Sequence, residues 1–330
     1  MLATAGAEIP NDYDLLRQGA EWLADFLDKL IQDAAEFAHP ILEIILLAIA
    51  NLKTELVQLC ALCEQGTTLI AEQSVTKPLA EEVLEFVVEL ATSESEHQKL
   101  STILSAITDD FFADNSDLSS YPDEYAAVLE DALNEMTVFR LMSGMVAAPG
   151  SRHAGTNPTF HTAQVACEWL KTAATRFGQA SSPEQKNQFR AELLAVIDHD
   201  AGKLLNPKFD AHHKLSLQLA GPGIKYVATD KGFAEKISLT NFLVHNHDIC
   251  GHIAAKRRNY QDILAAFKKE PNIADYMRSL YYIQFADMQA ITTMPQEHKS
   301  ENISIWTKLC VDLQLDELVT EIVINSPRIS

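Results

Sequence analysis

The chain has 330 residues, enough for two domains or for one large domain with an appendage. Hydrophobic residues make up 47% and charged residues 22%, which is ordinary for a globular protein with a sizeable core. The formal net charge of −20 argues against nucleic acid and anionic lipid as partners. This charge is concentrated in residues 1–122, which carry −17, whereas residues 123–330 carry only −3.

The first 122 residues have apolar side chains at helical spacing, and their charge is strongly acidic. Helices are predicted at about 15–32, 40–64, 78–92 and 98–112. We expect these helices to form an acidic bundle with an interaction or regulatory role. A protein partner, if there is one, is expected to bind this bundle. The bundle is expected to end at residues 113–123, which are rich in Asp, Ser, Asn and Pro.

The sequence gives no sign of a membrane span. Its N-terminal segment lacks the basic start and the apolar stretch of a secretory signal, and the most apolar stretch, 40–52, is too short to cross a bilayer. A cytoplasmic protein is therefore expected, and secretion without a cleaved signal stays open. Five cysteines do not suggest a disulfide framework. Cys60 and Cys63 form a CxxC that is interpreted as two core residues, with a redox or zinc pair as the alternative.

Residues 123–330 are predicted to form a second, helical domain, so that the whole chain is all-α. A helix is expected at about 124–145, followed by a loop at 147–159 whose Gly and Pro residues do not fit inside a helix. A turn is expected at 220–223 and a short strand at Ile224 to Ala228, but no large sheet.

Eight of the 11 histidines fall between positions 153 and 252. The first that fits a site is His161, just after Pro158 and Thr159, which suit a helix start. Four-residue spacing puts His161 on one face with Val165 and Trp169, so the imidazole is expected to point inward. Taken alone, such a histidine is more often a hydrogen-bonded core residue than a ligand.

The second feature is the pair His199–Asp200 near the end of a predicted helix. Phe189, Leu193 and Val196 lead by helical steps to Asp200, which places this carboxylate on the apolar face. A carboxylate in a core is costly unless a cation or hydrogen bonds receive it. His199 shares that side, and the Gly at position 202 is expected to end the helix.

The third feature is the segment SLTNFLVHNHDICGHIAAKRR. If the segment is one helix, His245, Asp248 and His252 share a face, and His247 points away from it. The alternative is a polar face in contact with solvent.

Together these features predict a metal site made by His161, His199, Asp200 and Asp248. Two neutral imidazoles and two carboxylates suit a divalent transition ion such as Mn, Fe, Ni or Zn. Such an ion would activate a water molecule and polarise a phosphoryl group.

The segments HTAQVA and HDAGK, followed by a later Asp, resemble the HD superfamily of metal-dependent phosphohydrolases over roughly residues 124–270. The resemblance implies a helical domain whose ligands come in the order His, His-Asp, Asp. A second HD, His247–Asp248, occurs within HDICGH. The pair His199–Asp200 is preferred because it has a His upstream and an Asp downstream. No GYP signature follows, so nothing specifically supports cyclic dinucleotides as substrates.

Further polar residues have predicted roles at this site. His212, His213, His245 and His252 could complete a second metal site, as in relatives that include phosphodiesterases and di-iron oxygenases. Lys203 is a candidate for contacting phosphate, and His212 or His213 for protonating the leaving oxygen. The basic residues 256–258 are interpreted as a solvated patch, and His153 is placed near a site entrance.

The expected function is hydrolysis of a phosphoester bond in a nucleotide or another small phosphorylated compound. The alternatives are a catalytically silent HD-fold scaffold or bacterial effector that works through protein contacts, and a di-iron oxygenase.

Overall fold

A computed structural model describes residues 88–89, 92–113, 123–144, 157–178, 182–204 and 212–325, without the side chains of 123–124 and 321–325. All of these residues belong to one compact unit, Phe86–Ser330. They contain helices and no strand, which confirms the prediction of an all-α fold. The predicted helices at 15–32 and 40–64, nearly all of 78–92, and the Cys60/Cys63 pair lie outside the described residues.

The helices of the described residues are numbered here in chain order. They are α1 (Glu94–Phe112), α2 (Asp123–Asn134), α3 (Thr137–Ser143), α4 (Pro158–Phe177), α5 (Pro183–Asp198), α6 (His212–Asp230), α7 (Ile237–Asn246), α8 (Ile249–Ala254), α9 (Tyr260–Phe267), α10 (Ile273–Ala290), α11 (Gln296–Asp312) and α12 (Asp316–Asn325). Short 3-10 turns cover Ala201–Leu204 and Ala234–Lys236.

The helix predicted at 124–145 is two helices, α2 and α3, because the chain is extended at Met136. The Glu96 carboxylate of α1 stabilises this break. Its Oε2 accepts a hydrogen bond from the Thr137 backbone N–H at 2.6 Å, and its Oε1 accepts one from the Thr137 hydroxyl at 3.1 Å. These bonds satisfy donors that the start of α3 would leave unpaired.

The predictions of a turn at 220–223 and of a strand at Ile224–Ala228 were wrong, since both segments lie inside α6. Ile224, Val227 and Ala228 are fully buried, and their spacing of three and one fits one face of a helix. Packing of this face therefore overrides the local strand preference. Gly223 lies where α6 meets α1, and an added Cβ there would come 3.3 Å from the His97 ring.

The core between α1, α4 and α5 is built from aromatic rings. Phe189 of α5 lies 4.3 Å from Phe111 and 5.1 Å from Trp169, measured between ring centroids. A buried ion pair lies beside these rings, where Arg176 of α4 donates two hydrogen bonds to Glu192 of α5 at 2.6 and 2.8 Å. The packing fixes α4, which carries His161, against α5, whose C-terminal end leads directly into the pair His199–Asp200.

Helix α1 packs against α5 and α6 within this unit, and Ser101 of α1 donates a hydrogen bond to Asp230 of α6 at 2.8 Å. The division into a bundle of residues 1–122 and a metal-dependent domain of residues 123–330 stays a prediction. In the part of the chain that the structure describes, none of the helices has both the length and the apolarity needed to cross a bilayer.

Candidate metal centre

Within the described residues, histidine and aspartate side chains form three groups. In each group, three residues offer ligand atoms that lie within 4.8 Å of one another. The groups are His161, His199 and Asp287; Asp200, His212 and His247; and His213, Asp248 and His252. The helical fold thus brings α4, α10, the C-terminal end of α5, the first turn of α6 and the segment from α7 to α8 to one place, where these side chains could hold metal ions.

His161 lies one turn into α4, whose start was predicted correctly. The Asn157 side chain accepts a hydrogen bond from the Phe160 N–H at 2.7 Å, and Pro158 occupies the first turn. The buried His161 ring places Nε2 2.9 Å from Asp287 Oδ1 and 3.7 Å from Asp200 Oδ2. The inward direction that the spacing predicted is therefore confirmed.

His199 and His247 are oriented in the same way, each just after the end of a helix. The Nδ1 atom of His199 lies 2.7 Å from the Val196 carbonyl, and that of His247 lies 2.8 Å from the Val244 carbonyl. Because a carbonyl only accepts, each Nδ1 donates a proton to it, and Nε2 is the ring nitrogen that faces the centre. Metal-ligating histidines are commonly held by such a hydrogen bond from the other ring nitrogen.

Asp200 lies between the first two groups and faces both. Its Oδ2 is 3.2 Å from His199 Nε2, and its Oδ1 is 3.4 Å from His212 Nε2 and 3.7 Å from His247 Nε2. The His212 and His247 Nε2 atoms are themselves only 3.1 Å apart. The two oxygens of one carboxylate are thus directed at two sets of imidazole nitrogens.

Unpaired polar atoms at this point fit a metal ion. Asp200 is 1% exposed, and its Oδ1 and the Nε2 of His199 have no hydrogen-bond partner among the described residues. Buried polar atoms without partners are costly, and imidazoles and carboxylates are ligands that divalent transition ions accept. The donor set therefore fits such an ion.

Close packing at the 3-10 turn after Asp200 fixes the site against α6. Gly202 was predicted to end a helix, but α5 already ends at Asp198 and Gly202 lies within the turn. A Cβ at Gly202 would come 2.1 Å from the His212 carbonyl oxygen. The Ser216 hydroxyl donates a hydrogen bond to the His199 carbonyl at 2.7 Å and accepts one from the Gly202 N–H at 2.9 Å.

The protonation states at the centre follow from burial and from opposite charges. Burial alone would raise the pKa of Asp200, but the His199 and Lys203 charges outweigh it and hold this pKa well below its usual value. The Lys203 ammonium, itself buried, contacts Asp200 Oδ2 directly. Burial lowers the pKa of His212 to about 4, so this ring is neutral at neutral pH. An ionised carboxylate next to a neutral imidazole offers two of the ligand types that a metal ion requires.

The structure brings His161, His199 and Asp200 together as predicted but places Asp248 elsewhere. Asp248 lies in the third group, 2.8 Å from His252 Nε2, whereas Asp287 lies beside His161. The phasing was conditional on residues 238–258 forming one helix, but α7 ends at Asn246 and the backbone turns at 247–248 before α8 begins. The phasing therefore holds for Asp248 and His252, which are in contact, but does not extend across this turn.

The other predicted residues occupy different positions around the centre. His212 belongs to the second group, and His213 and His252 to the third. The half-buried His245 belongs to no group within the described residues, although its ring lies 5.0 Å from that of His213. His153 lies outside the described residues. Of the basic patch, residues 256 and 257 are exposed and residue 258 is half-buried.

Two residues of the centre, His247 and Asp287, were missed by the sequence analysis. A signal for Asp287 was present, because Leu280 and Ile283 precede it by seven and four residues and are fully buried. The same phasing argument that placed Asp200 in the core would have placed Asp287 there. For His247 the sequence offers no such signal, since its orientation depends on the turn after α7.

A cavity of about 660 Å³ opens from the centre towards α8, α10 and α11. Asp200, Lys203, His212, His247 and Asp287 line it, together with Asp248 and His252 of the third group. The lining also includes Arg257, Met288, Ile291, Met294 and His298, among others. Each of the three groups therefore contributes at least one residue to the cavity lining.

Comparisons of the chain with models of protein families, with curated proteins and with solved structures find no match. The helical fold and the buried His/Asp groups are compatible with a domain of the HD type.

Proposed function

We propose that the chain is a phosphohydrolase of the HD type whose reaction depends on two divalent ions joined by Asp200. The observation that carries this proposal is the position of the Asp200 carboxylate, with Oδ2 towards His199 and Oδ1 towards His212. A carboxylate that bridges two ions a few ångströms apart is a recurrent feature of enzymes that displace groups at phosphorus.

Each ion has its own ligands in this proposal. His161, His199, Asp287 and Asp200 Oδ2 would hold one, while His212, His247 and Asp200 Oδ1 would hold the other. Asp287 replaces Asp248 in the ligand set expected from the sequence. His212, which was expected either to complete a second metal site or to donate a proton, is a ligand in this proposal. Nitrogen and oxygen donors in this ratio suit Mn, Fe, Ni or Zn.

Divalent ions at these positions would supply an activated water molecule and neutralise charge on the phosphoryl oxygens. The chain orients their imidazole ligands through the carbonyls of Val196 and Val244, which fix which nitrogen of His199 and His247 faces the centre. Lys203 reaches the cavity from its contact with Asp200, so its ammonium can donate a hydrogen bond to a phosphoryl oxygen. That His213 protonates the leaving oxygen stays a prediction.

The cavity supports a small phosphorylated substrate. Its volume of about 660 Å³ falls within the range of small-molecule sites and accommodates a nucleotide. Met288, Ile291 and Met294 give one wall an apolar surface for a base or another flat group, and the exposed Arg257 adds a cationic group to the lining. Charged groups at the metal centre and apolar side chains in the same lining match a compound of this class.

The test is phosphate release from a panel of nucleotides and simple phosphoesters by the full chain supplied with Mn²⁺. Asp200→Ala should lower kcat by at least about 100-fold, because both ions lose a ligand. Asp109→Ala is the matched control, since Asp109 is exposed on α1, and its activity should equal that of the wild type. Activity that survives in Asp200→Ala would contradict the proposal.

The rival functions make different demands on the same protein. A di-iron oxygenase would contain two irons per chain and consume oxygen with its substrate, since four imidazoles and two carboxylates also suit iron. A scaffold or effector would capture its protein partner through residues 1–122 whether or not Asp200 is present. The cytoplasmic location expected from the sequence stays a prediction.

A further inference from the structure

The third group, formed by His213, Asp248 and His252, is a separate cluster of potential ligands. His213 and His252 are 3% and 4% exposed, and the Asp248 side chain is 18% exposed. The residues come from the first turn of α6, from the turn after α7 and from α8. Consecutive residues of α6, His212 and His213, thus belong to different groups.

The cluster contains one hydrogen bond, and three of its other polar atoms have no hydrogen-bond partner among the described residues. His252 Nε2 lies 2.8 Å from Asp248 Oδ2, which pairs one nitrogen with one oxygen. Asp248 Oδ1, His252 Nδ1 and His213 Nδ1 are all buried and have no hydrogen-bond partner among the described residues. Burying three unpaired polar atoms in a single cluster costs free energy, and a simple His–Asp pair does not account for them.

The cluster is close to the two-ion centre but distinct from it. Asp248 Oδ2 of the cluster lies 3.6 Å from Nε2 of His212, which belongs to the two-ion centre. Asp248 and His252 line the cavity, so one side of the cluster faces the space where a substrate would bind. An ion held there would have three protein ligands and an open position towards the cavity, as in zinc sites that bind an exogenous ligand.

We propose that His213, Asp248 and His252 form a third metal site, which takes a divalent first-row ion and prefers Zn²⁺. Two imidazoles and one carboxylate form a recurrent Zn²⁺ ligand set. An ion at this site would add positive charge to the cavity beside the two ions of the centre. The site therefore suits a substrate with a second anionic group in addition to the phosphoryl group that reacts. His213, which was expected either to complete a second metal site or to donate a proton, is a metal ligand in this proposal.

The test counts metal ions. The full chain, freed of metal and dialysed against Zn²⁺, should bind three equivalents by elemental analysis after unbound ion is removed. His213→Ala and, separately, His252→Gln should each bind one equivalent fewer. His298→Ala is the matched control, because His298 lines the cavity but belongs to none of the three groups. It should bind the same number as the wild type.

The counts separate this proposal from the function proposed above. A wild-type protein that binds two equivalents, both lost in Asp200→Ala, would overturn the third site and leave the two-ion centre intact. One equivalent that is lost in His213→Ala but retained in Asp200→Ala would support the third site and contradict the two-ion centre. Three equivalents that persist in both His213→Ala and His252→Gln would also overturn the third site. The metal count of the wild type is itself part of the test. The proposal can therefore be contradicted even if one of the variants fails to fold.

Discussion

Glu192 lies within α5 and Asp200 lies two residues beyond its end. Both carboxylates are buried, but their surroundings differ. Both oxygens of Glu192 are satisfied within the chain by Arg176, Gln188 and Ser279. Asp200 has an oxygen without any hydrogen-bond partner among the described residues, and imidazoles on both sides of it. A fully paired buried charge serves the fold, whereas an incompletely paired one that lines a cavity is a candidate for ligand binding.

Replacing Glu192 with Gln tests the structural half of this contrast. The change leaves the Arg176 guanidinium largely buried without its counter-ion, so it should lower the free energy of unfolding by roughly 3 kcal/mol at pH 7. Urea unfolding measures the loss. Glu184→Gln on the same helix is the control, because its side chain is 68% exposed, and it should change stability by less than about 0.5 kcal/mol.

The loss in Glu192→Gln should also depend on pH. Burial alone would raise the pKa of Glu192, but the Arg176 charge and the hydrogen bonds outweigh it and hold this pKa below its usual value. A carboxyl with a lowered pKa in the folded state stabilises the fold above its unfolded pKa of about 4.3, and this contribution fades as pH falls through the folded pKa. The difference between wild type and variant should therefore be constant above about pH 5 and shrink at lower pH. A difference that grew on acidification would contradict this account.

Helical phasing correctly predicted which site residues are buried where the apolar pattern lies on a single helix or directly follows it. It placed His161 of α4 inside the core, and it predicted that Asp200 is buried, although α5 ends two residues before it. It failed where the backbone departs from a single helix, as at Met136 and at the turn before Asp248. These breaks depend on contacts with other elements, such as the bond from Glu96 to Thr137, and such contacts are not visible in a local pattern.

The close approach of the 3-10 turn to α6 gives a prediction at the scale of elements. Gly202→Ala would put a Cβ 2.1 Å from the His212 carbonyl oxygen, where backbone must move to make room. Stability should fall by about 1–3 kcal/mol, and metal affinity should fall as well because the first turn of α6 is displaced. Thermal unfolding with and without Mn²⁺ measures both effects.

Gly221→Ala on α6 is the matched control, since nothing lies within 4 Å of its added Cβ. It should leave metal affinity unchanged and should raise stability by up to about 1 kcal/mol, because alanine favours a helix more than glycine does. Equal effects of the two substitutions would show that the crowding at Gly202 does not position the metal ligands.

At the scale of the whole molecule, the candidate centre is assembled by the packing of the fold. The described residues that meet at Asp200 come from positions as far apart as His161 and Asp287, a separation of 126 residues. The sequence predicted the all-α class and four of these residues, His161, His199, Asp200 and His212, because periodicity and residue type are local properties. It did not predict that α10 would pass beside α4 and supply Asp287, since that depends on how the helices pack together.

The central claim is that Asp200 joins two divalent ions into one centre, and electron paramagnetic resonance of the Mn²⁺-loaded full chain tests it most directly. Two Mn²⁺ ions bridged by one carboxylate lie a few ångströms apart and are magnetically coupled. The wild type should therefore give the spectrum of a coupled pair, and Asp200→Ala should not. A wild-type spectrum of isolated Mn²⁺ ions alone, or a coupled spectrum that persists in Asp200→Ala, would contradict the claim.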